Sequence, residues 1–183
     1  MDAQEKMPLF FFCLVIIMAA CSTGARAGCC CPTYWTAFGQ NCYRFFAYNN
    51  TWQDAENYCQ SYSVPSLGSG GTVIDSLGHL VSIHSEEENN FISTIFTTSR
   101  KKETQTAPIT MWLGLHDTST EGEFEWSDGT PMDFTKWSPG QPDDFRTRED
   151  CVQMRSDYGN NLWNDAGCRN GNLPYFICKL PAY

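Results

Sequence analysis

The chain of 183 residues is short of three things. Its apolar run, Leu9 to Ala20, is 12 residues long, and a bilayer-spanning helix needs roughly 20. Positive charge is scarce, with 12 Lys and Arg against 21 Asp and Glu, a net −9. That balance argues against nucleic acid and against an anionic membrane surface as partners. Histidine is scarce too: His79, His84 and His116 are the whole supply. None stands at a zinc-ligand spacing such as i, i+4 with a glutamate, and no nucleophile motif accompanies them. An enzyme is not expected.

Cysteine, by contrast, is plentiful. Ten in a chain of this length point to an oxidising compartment. The N-terminus agrees. A short apolar run followed by Ala25-Arg26-Ala27 reads as a secretory signal with a small-x-small cleavage site. The expected division is a signal at 1–27 and one mature domain at 28–183, secreted and extracellular. Hydrophobic residues make up 42% of the chain, enough for a packed core. Removing the signal takes away Cys13 and Cys21. The eight cysteines left allow 105 pairings, and the residues alone do not choose among them.

The densest chemistry lies between Gln141 and Asp165. Gln141-Pro142-Asp143-Asp144, Glu149-Asp150-Cys151 and Trp163-Asn164-Asp165 supply five carboxylates and two amide oxygens within 25 residues. Calcium takes roughly 6–8 oxygen ligands, so this stretch reads as a calcium site. The aromatics Trp137, Phe145 and Trp163 set it apart from a merely solvated acidic loop, and a ligand is expected there as well. Paired carboxylates would also suit a glycosidase, but calcium would occupy them.

The remaining pattern supplies a frame. Cys31-Pro32-x-x-Trp35 followed by Cys42-Tyr43 reads as a stapled hairpin, and Tyr43 to Tyr48 as a strand. Asn49-Asn50-Thr51 is a glycosylation sequon, while Thr51 with Asp54 also fits a capping box. Trp52, Ala55, Tyr58, Cys59 and Tyr62 recur at helical spacing and predict a helix over about 51–61. Ser63 to Gly78, rich in Gly and Ser, reads as a long surface loop. His79 to Ile83 reads as a strand. Ser85-Glu86-Glu87-Glu88 caps a second helix, with Phe91, Ile92, Ile95 and Phe96 buried and an end near Thr98. Arg100 to Lys102 reads as a solvated charge run. Strands are expected at 111–115, 124–126, 151–154 and 176–179, with acidic loops between. Helices first and short strands after make an α+β domain with an antiparallel sheet.

In order and spacing these pieces resemble the C-type lectin domains, from Cys31 to about Leu180. The likeness is carried by Cys31-Pro32-x-x-Trp35, Trp52-x-x-Ala55-x-x-x-Cys59, His79-Leu80-x-Ser82-Ile83, Trp112-Leu113-Gly114-Leu115, Gln141-Pro142-Asp143, Glu149-Asp150-Cys151, Trp163-Asn164-Asp165 and Phe176-Ile177-Cys178. Gly28-Cys29-Cys30 and Asn41-Cys42-Tyr43-Arg44-Phe45-Phe46 are similar to the echinoidin-type invertebrate lectins in particular. The resemblance implies a disulfide-stapled fold with two helices, antiparallel sheets and long calcium-binding loops. It implies the pairs Cys31–Cys42, Cys59–Cys178 and Cys151–Cys168. Cys29 and Cys30 are then left for interchain bonds, the alternative being that one of them takes Cys42 in place of Cys31.

The resemblance also maps a sugar-binding calcium position onto Gln141, Asp143, Glu149, Asn164 and Asp165. An auxiliary one falls on Asp117, Glu121, Asp144 and Asp150, with the main-chain oxygen of Glu149. It implies a cis peptide before Pro142. Amide first and carboxylate second goes with galactose-type sugars in the family, the reverse with mannose-type. Phe145 stands where an aromatic often packs on galactose. Arg146-Thr147-Arg148 departs from the often glycine-rich loop of that pattern. The expected function is a secreted, calcium-dependent lectin for galactose-type glycans on cell surfaces or glycoproteins, made multivalent as a disulfide-linked homo-oligomer. The alternative is a secreted module of the same fold that binds protein or mineral without sugar.

Overall fold

In the computed structural model, residues 31–48, 50–67, 72–99, 109–156, 162–169 and 174–183 are described. Asn49, Cys29, Cys30, the leader and the charge run at 100–102 lie outside them. Twelve elements follow in order: β1 (Thr36–Phe38), β2 (Asn41–Phe46), α1 (Trp52–Gln60), β3 (Ser63–Leu67), β4 (Val73–Leu77), β5 (His79–Leu80), α2 (Glu86–Ser99), β6 (Thr110–His116), β7 (Glu125–Trp126), β8 (Cys151–Arg155), β9 (Trp163–Ala166) and β10 (Tyr175–Pro181). The main sheet runs β1-β2-β10-β6-β8-β9, with β5 on β10 and β7 on β6. The pairings are antiparallel except β10 with β6, which runs parallel through Tyr175↔Met111 and Phe176↔Trp112.

The two-residue period of the central strands divides the core. Trp112 of β6 and Phe176, Cys178 and Leu180 of β10 face α1, joining Trp52, Ala55 and Cys59. Met111, Leu113 and Leu115 of β6, with Ile177 of β10, face the other way onto Ile92 and Phe96 of α2 and onto Val152, Met154 and Trp163. Three tryptophan indoles lock the layers. Trp52 donates to the Leu113 carbonyl at 2.8 Å, Trp112 to that of Asn50 at 2.9 Å, and Trp163 to Asn89 Oδ1 at 3.0 Å. Gly114 is needed where β6 crosses β5: an added Cβ would lie 2.8 Å from the Leu80 carbonyl oxygen and 2.9 Å from Ser127 Oγ.

Thr51 caps α1, its hydroxyl accepting from the Asp54 amide at 3.2 Å. Among the described residues three disulfides are formed: Cys31–Cys42, Cys59–Cys178 and Cys151–Cys168. The first gives Cys42 to Cys31. The second spans 119 residues and ties α1 to β10. By loop-closure entropy a bond of that span contributes about 4–5 kcal/mol.

Three expectations need correction. Ser63 to Gly78 is not a loop: β3 and β4 pair from Ser63↔Leu77 to Leu67↔Val73 as a separate two-stranded sheet. Val64, Val73 and Ile74 carry the strand preference, and Pro65 is tolerated because the pair stands alone with open edges. Trp163-Asn164-Asp165 is not on a loop but forms the wholly buried strand β9. Strand β5 stops at Leu80, short of Ile83.

Candidate calcium and ligand site

The site is built where β9 meets the loop entering β8. On the strand side, β9 pairs with β8 from Cys151↔Ala166 to Met154↔Trp163, and the Cys151–Cys168 disulfide closes that end. Trp163 is fully buried and pins the strand. Asn164 and Asp165 are thereby held on the framework, both buried. On the loop side, Gly140 at φ +88° and the Gln141 amide bonded to the Ser138 carbonyl at 3.0 Å turn the chain. A cis Gln141–Pro142 peptide follows.

Asp165 holds the two sides together. Its Oδ2 accepts the amide N–H groups of Asp143 at 2.9 Å and Asp144 at 2.7 Å. Glu149 repeats the device: its Oε2 accepts the Phe145 amide at 3.1 Å, while its own amide donates to Asp144 Oδ1 at 3.2 Å. The ligand oxygens of Asp143, Glu149 and Asp165 lie within 4.8 Å of one another. Burial, and then repulsion from Asp165 and Asp143, raise the Glu149 carboxyl above its ordinary range. Burial and the nearby Asp143 likewise raise Asp165, against the lowering pull of its backbone donors.

These residues fit a calcium ion. All donors are hard oxygens. Two oxygens on one ion at about 2.4 Å can be at most about 4.8 Å apart, and the three carboxylates lie within that limit. Gln141 Oε1 and Asp165 Oδ1 are buried acceptors without a hydrogen-bond partner, and such groups are rare unless something else satisfies them. The Asn164 amide donates to the Asp165 carbonyl. Gln141 and Asn164 would add their oxygens to the three carboxylates.

The auxiliary residues gather beside it. Asp117 is buried; its Oδ2 accepts the Gly122 amide at 2.9 Å while its Oδ1 has no partner. Its own amide donates to the Asp150 carbonyl at 3.1 Å. Partial desolvation, then Asp117, Asp144 and Asp150, push the exposed Glu121 carboxyl up. These four acids therefore share one neighbourhood, but among the described residues they do not reach the closeness of the first triad. Asp144 serves both groups.

Phe145 is 56% exposed beside the triad, with the Arg146 guanidinium 4.9 Å from its ring centroid. A second acid lies deep in the frame. Glu56 accepts from the Leu80 amide at 2.8 Å and Ser127 at 3.0 Å and pairs with His79 at 2.6 Å. Its place on the Trp52, Ala55, Cys59 stripe was the signal for its burial, which the apolar pattern alone passed over.

Comparison with known proteins agrees with this architecture. Residues 74–180 match the Lectin C-type domain family. Over 154 residues the chain is 53% identical to echinoidin of Heliocidaris crassispina, covering 84% of this chain and 99% of that one. It is 37% identical over 175 residues to an alpha-N-acetylgalactosamine-specific lectin of Patiria pectinifera, covering 94% of each. The crystal structure of the C-type lectin CEL-I from Cucumaria echinata superposes with a TM-score of 0.68 at 34% identity, over 81% of this chain and 96% of that chain.

Proposed function

This chain belongs to the C-type lectin domain family, and from that premise we infer that it is a secreted, calcium-dependent lectin for galactose-type sugars. Family membership makes the function binding and not catalysis. The observation that carries the calcium reading is the convergence of Asp143, Glu149 and Asp165 beside the partnerless oxygens of Gln141 and Asp165.

Gln141, Asp143, Glu149, Asn164 and Asp165 would hold the principal ion, with Asp117, Glu121, Asp144 and Asp150 as the auxiliary set. When bound, the ion supplies coordination positions that two neighbouring sugar hydroxyls can fill. The chain's own groups orient those hydroxyls. The amide NH2 groups of Gln141 and Asn164 donate to hydroxyl oxygens, and the carboxylates of Asp143 and Glu149 accept from hydroxyl protons. Bonds to ionised groups are the stronger class. The order amide at Gln141, carboxylate at Asp143 supports a galactose-type hydroxyl pair, because swapping the two reverses donor and acceptor around it. The exposed ring of Phe145 offers an apolar surface for the sugar's apolar face. The name of the starfish relative, which is specific for alpha-N-acetylgalactosamine, supports the same class of sugar.

A single shallow site binds one sugar weakly, and avidity comes from several copies on one surface. Cys29 and Cys30 would link copies in the oligomer, after removal of residues 1–27. Asn49 would carry a glycan. The test is an immobilised galactose column run in calcium. Retention with release by chelator is expected. Flow-through in calcium would replace this reading by the protein- or mineral-binding one, and retention that survives chelator would remove calcium from it.

A further inference from the structure

The loop between the ligand carboxylates carries two cations that the sites above do not use. Arg146 and Arg148 are both exposed, and neither has an ion-pair partner among the described residues. Some other basic groups of the frame are engaged, while Arg169 is exposed without an ion-pair partner among the described residues. Lys136 pairs with Glu86 and Lys179 with Glu88, while Arg44 lies over Tyr34, Phe46 and Tyr62. A chain at −9 has thus left two guanidinium groups unpaired beside its most acidic site.

Their backbone makes this more telling. Asp144, Arg146 and Thr147 have φ of +40°, +62° and +54°, in the left-handed region where glycine is the undemanding choice. The turn is closed by the Thr147 amide on the Asp144 carbonyl at 2.8 Å. Arginine and threonine at such positions carry a conformational cost that glycine would not. Sparsely populated backbone of this kind clusters at active sites and ligand clamps. The Arg146 guanidinium is not left to wander either, lying 4.9 Å from the Phe145 ring centroid. Phe145 is in turn tethered through its amide to Glu149 Oε2, a member of the triad. A planar five-donor fork is therefore parked one residue from the aromatic that flanks the site.

Resting on the lectin reading above, we propose that Arg146 and Arg148 select galactose-type sugars bearing an anionic substituent, a sulfate ester or a carboxylate. Guanidinium forks match both groups bidentately. The acidic surroundings do not forbid this. The triad's charge is offset when a divalent ion is held, and more distant acids are screened over about 8 Å at physiological ionic strength.

The test uses the full mature chain in calcium. Binding of methyl galactoside, its 6-sulfate and methyl galacturonide is measured by titration calorimetry at low and at physiological salt. The charged sugars are expected to bind roughly threefold to tenfold tighter than the neutral one, as for an exposed charge-assisted contact. The ratio should shrink as salt rises. It should fall to about one in the double variant Arg146→Gln with Arg148→Gln, and Arg146→Lys with Arg148→Lys should restore part of it. Sulfate without carboxylate preference, or the reverse, assigns the source. Equal binding of neutral and charged sugars, or a preference that survives the glutamine variant, overturns this proposal while leaving the lectin reading intact. No binding of any of the three overturns both.

Discussion

Replacing Asp165 by asparagine separates the ion-holding role of its carboxylate from its role in the fold. Asp165 Oδ2 accepts two backbone amides, and Oδ1 is buried without a partner. Asparagine keeps one oxygen for the amides and removes the charge. Bonds to charged groups contribute about 1.5–3 kcal/mol, so losing one ligand charge should weaken calcium binding about tenfold to a hundredfold. Suppose calcium is present at 100 times the native Kd. Binding then stabilises the folded chain by about 2.7 kcal/mol. After a tenfold loss the same calcium contributes about 1.4 kcal/mol, and after a hundredfold loss about 0.4 kcal/mol. The calcium-free protein should behave differently. The Asp165 carboxyl is raised, first by burial and then by Asp143, despite the amides that pull the other way. Charge at this position is therefore a net burden without the ion, and calcium-free Asp165→Asn should melt no lower than the native chain. Thermal unfolding with calcium and with chelator gives both numbers. A native-sized calcium shift in Asp165→Asn would refute the ligand assignment. A large loss of calcium-free stability would mean that Asp165 is chiefly a structural acceptor.

Three further outcomes are expected. Swapping Gln141→Glu with Asp143→Asn should turn sugar preference from galactose to mannose, and an unchanged glycan-array profile would show that amide–carboxylate order is not the selector. Non-reducing electrophoresis of the mature chain should run above monomer size and collapse on replacing Cys29 and Cys30 by serine; a native monomer band would count against the linked oligomer. The Glu56–His79 pair should give a pH signature. Histidine is raised above its ordinary 6.5, chiefly by its bond to Glu56, so its contribution is full below 6.5 and fades as pH climbs through the raised value. Glu56 is lowered: burial pushes it up, but the His79 bond and the Leu80 amide outweigh that. Its contribution is present above 4.5 and fades as pH falls through the lowered value. Urea unfolding of His79→Gln should therefore show a flatter stability curve than the native chain from pH 6 to 9, and parallel curves would remove the pair as the cause.

What could be read from the residues was whatever a short period or a rigid motif encodes. The α1 stripe and its Thr51 cap are local, so they were legible. So was β6, since a strand buried on both faces is a continuous apolar run. The β3–β4 hairpin was missed because Gly and Ser at 66–71 dominated the average over the stretch, hiding Val64, Val73 and Ile74. Strand β9 was missed because Asn164 and Asp165 look like loop residues. Their burial depends on pairing with Val152 and Gln153 and on Trp163 packing against Phe134 and Trp126, contacts that no window of sequence contains. Oxygen-donor density marked the Gln141 to Asp165 stretch as a calcium site, but its division into a principal and an auxiliary set came only by resemblance. Their convergence depends on a loop closing onto a distant strand.

That closure also bears on how tightly an ion is held. Two of the five proposed ligands, Asn164 and Asp165, ride on a buried strand clamped by a disulfide. The other three sit on a loop whose order is partly made by the ligands themselves. The amides of Asp143, Asp144 and Phe145 all end on the Asp165 and Glu149 carboxylates. Those two acids thus act as acceptors for the loop before any cation arrives, which lowers the ordering cost that binding must overcome. The same closeness creates the repulsion that raises both carboxyls. Preorganisation and repulsion therefore rise together as the loop tightens, and a divalent ion benefits from the first while relieving the second. Breaking the turn at Thr147, by replacing it with proline, which cannot adopt its φ of +54° and lacks the amide that bonds the Asp144 carbonyl, should weaken calcium binding without altering any ligand. Stopped-flow chelation should locate the loss in a faster off-rate; an affinity indifferent to Thr147 would mean that the loop order supplied by Asp165 and Glu149 suffices alone.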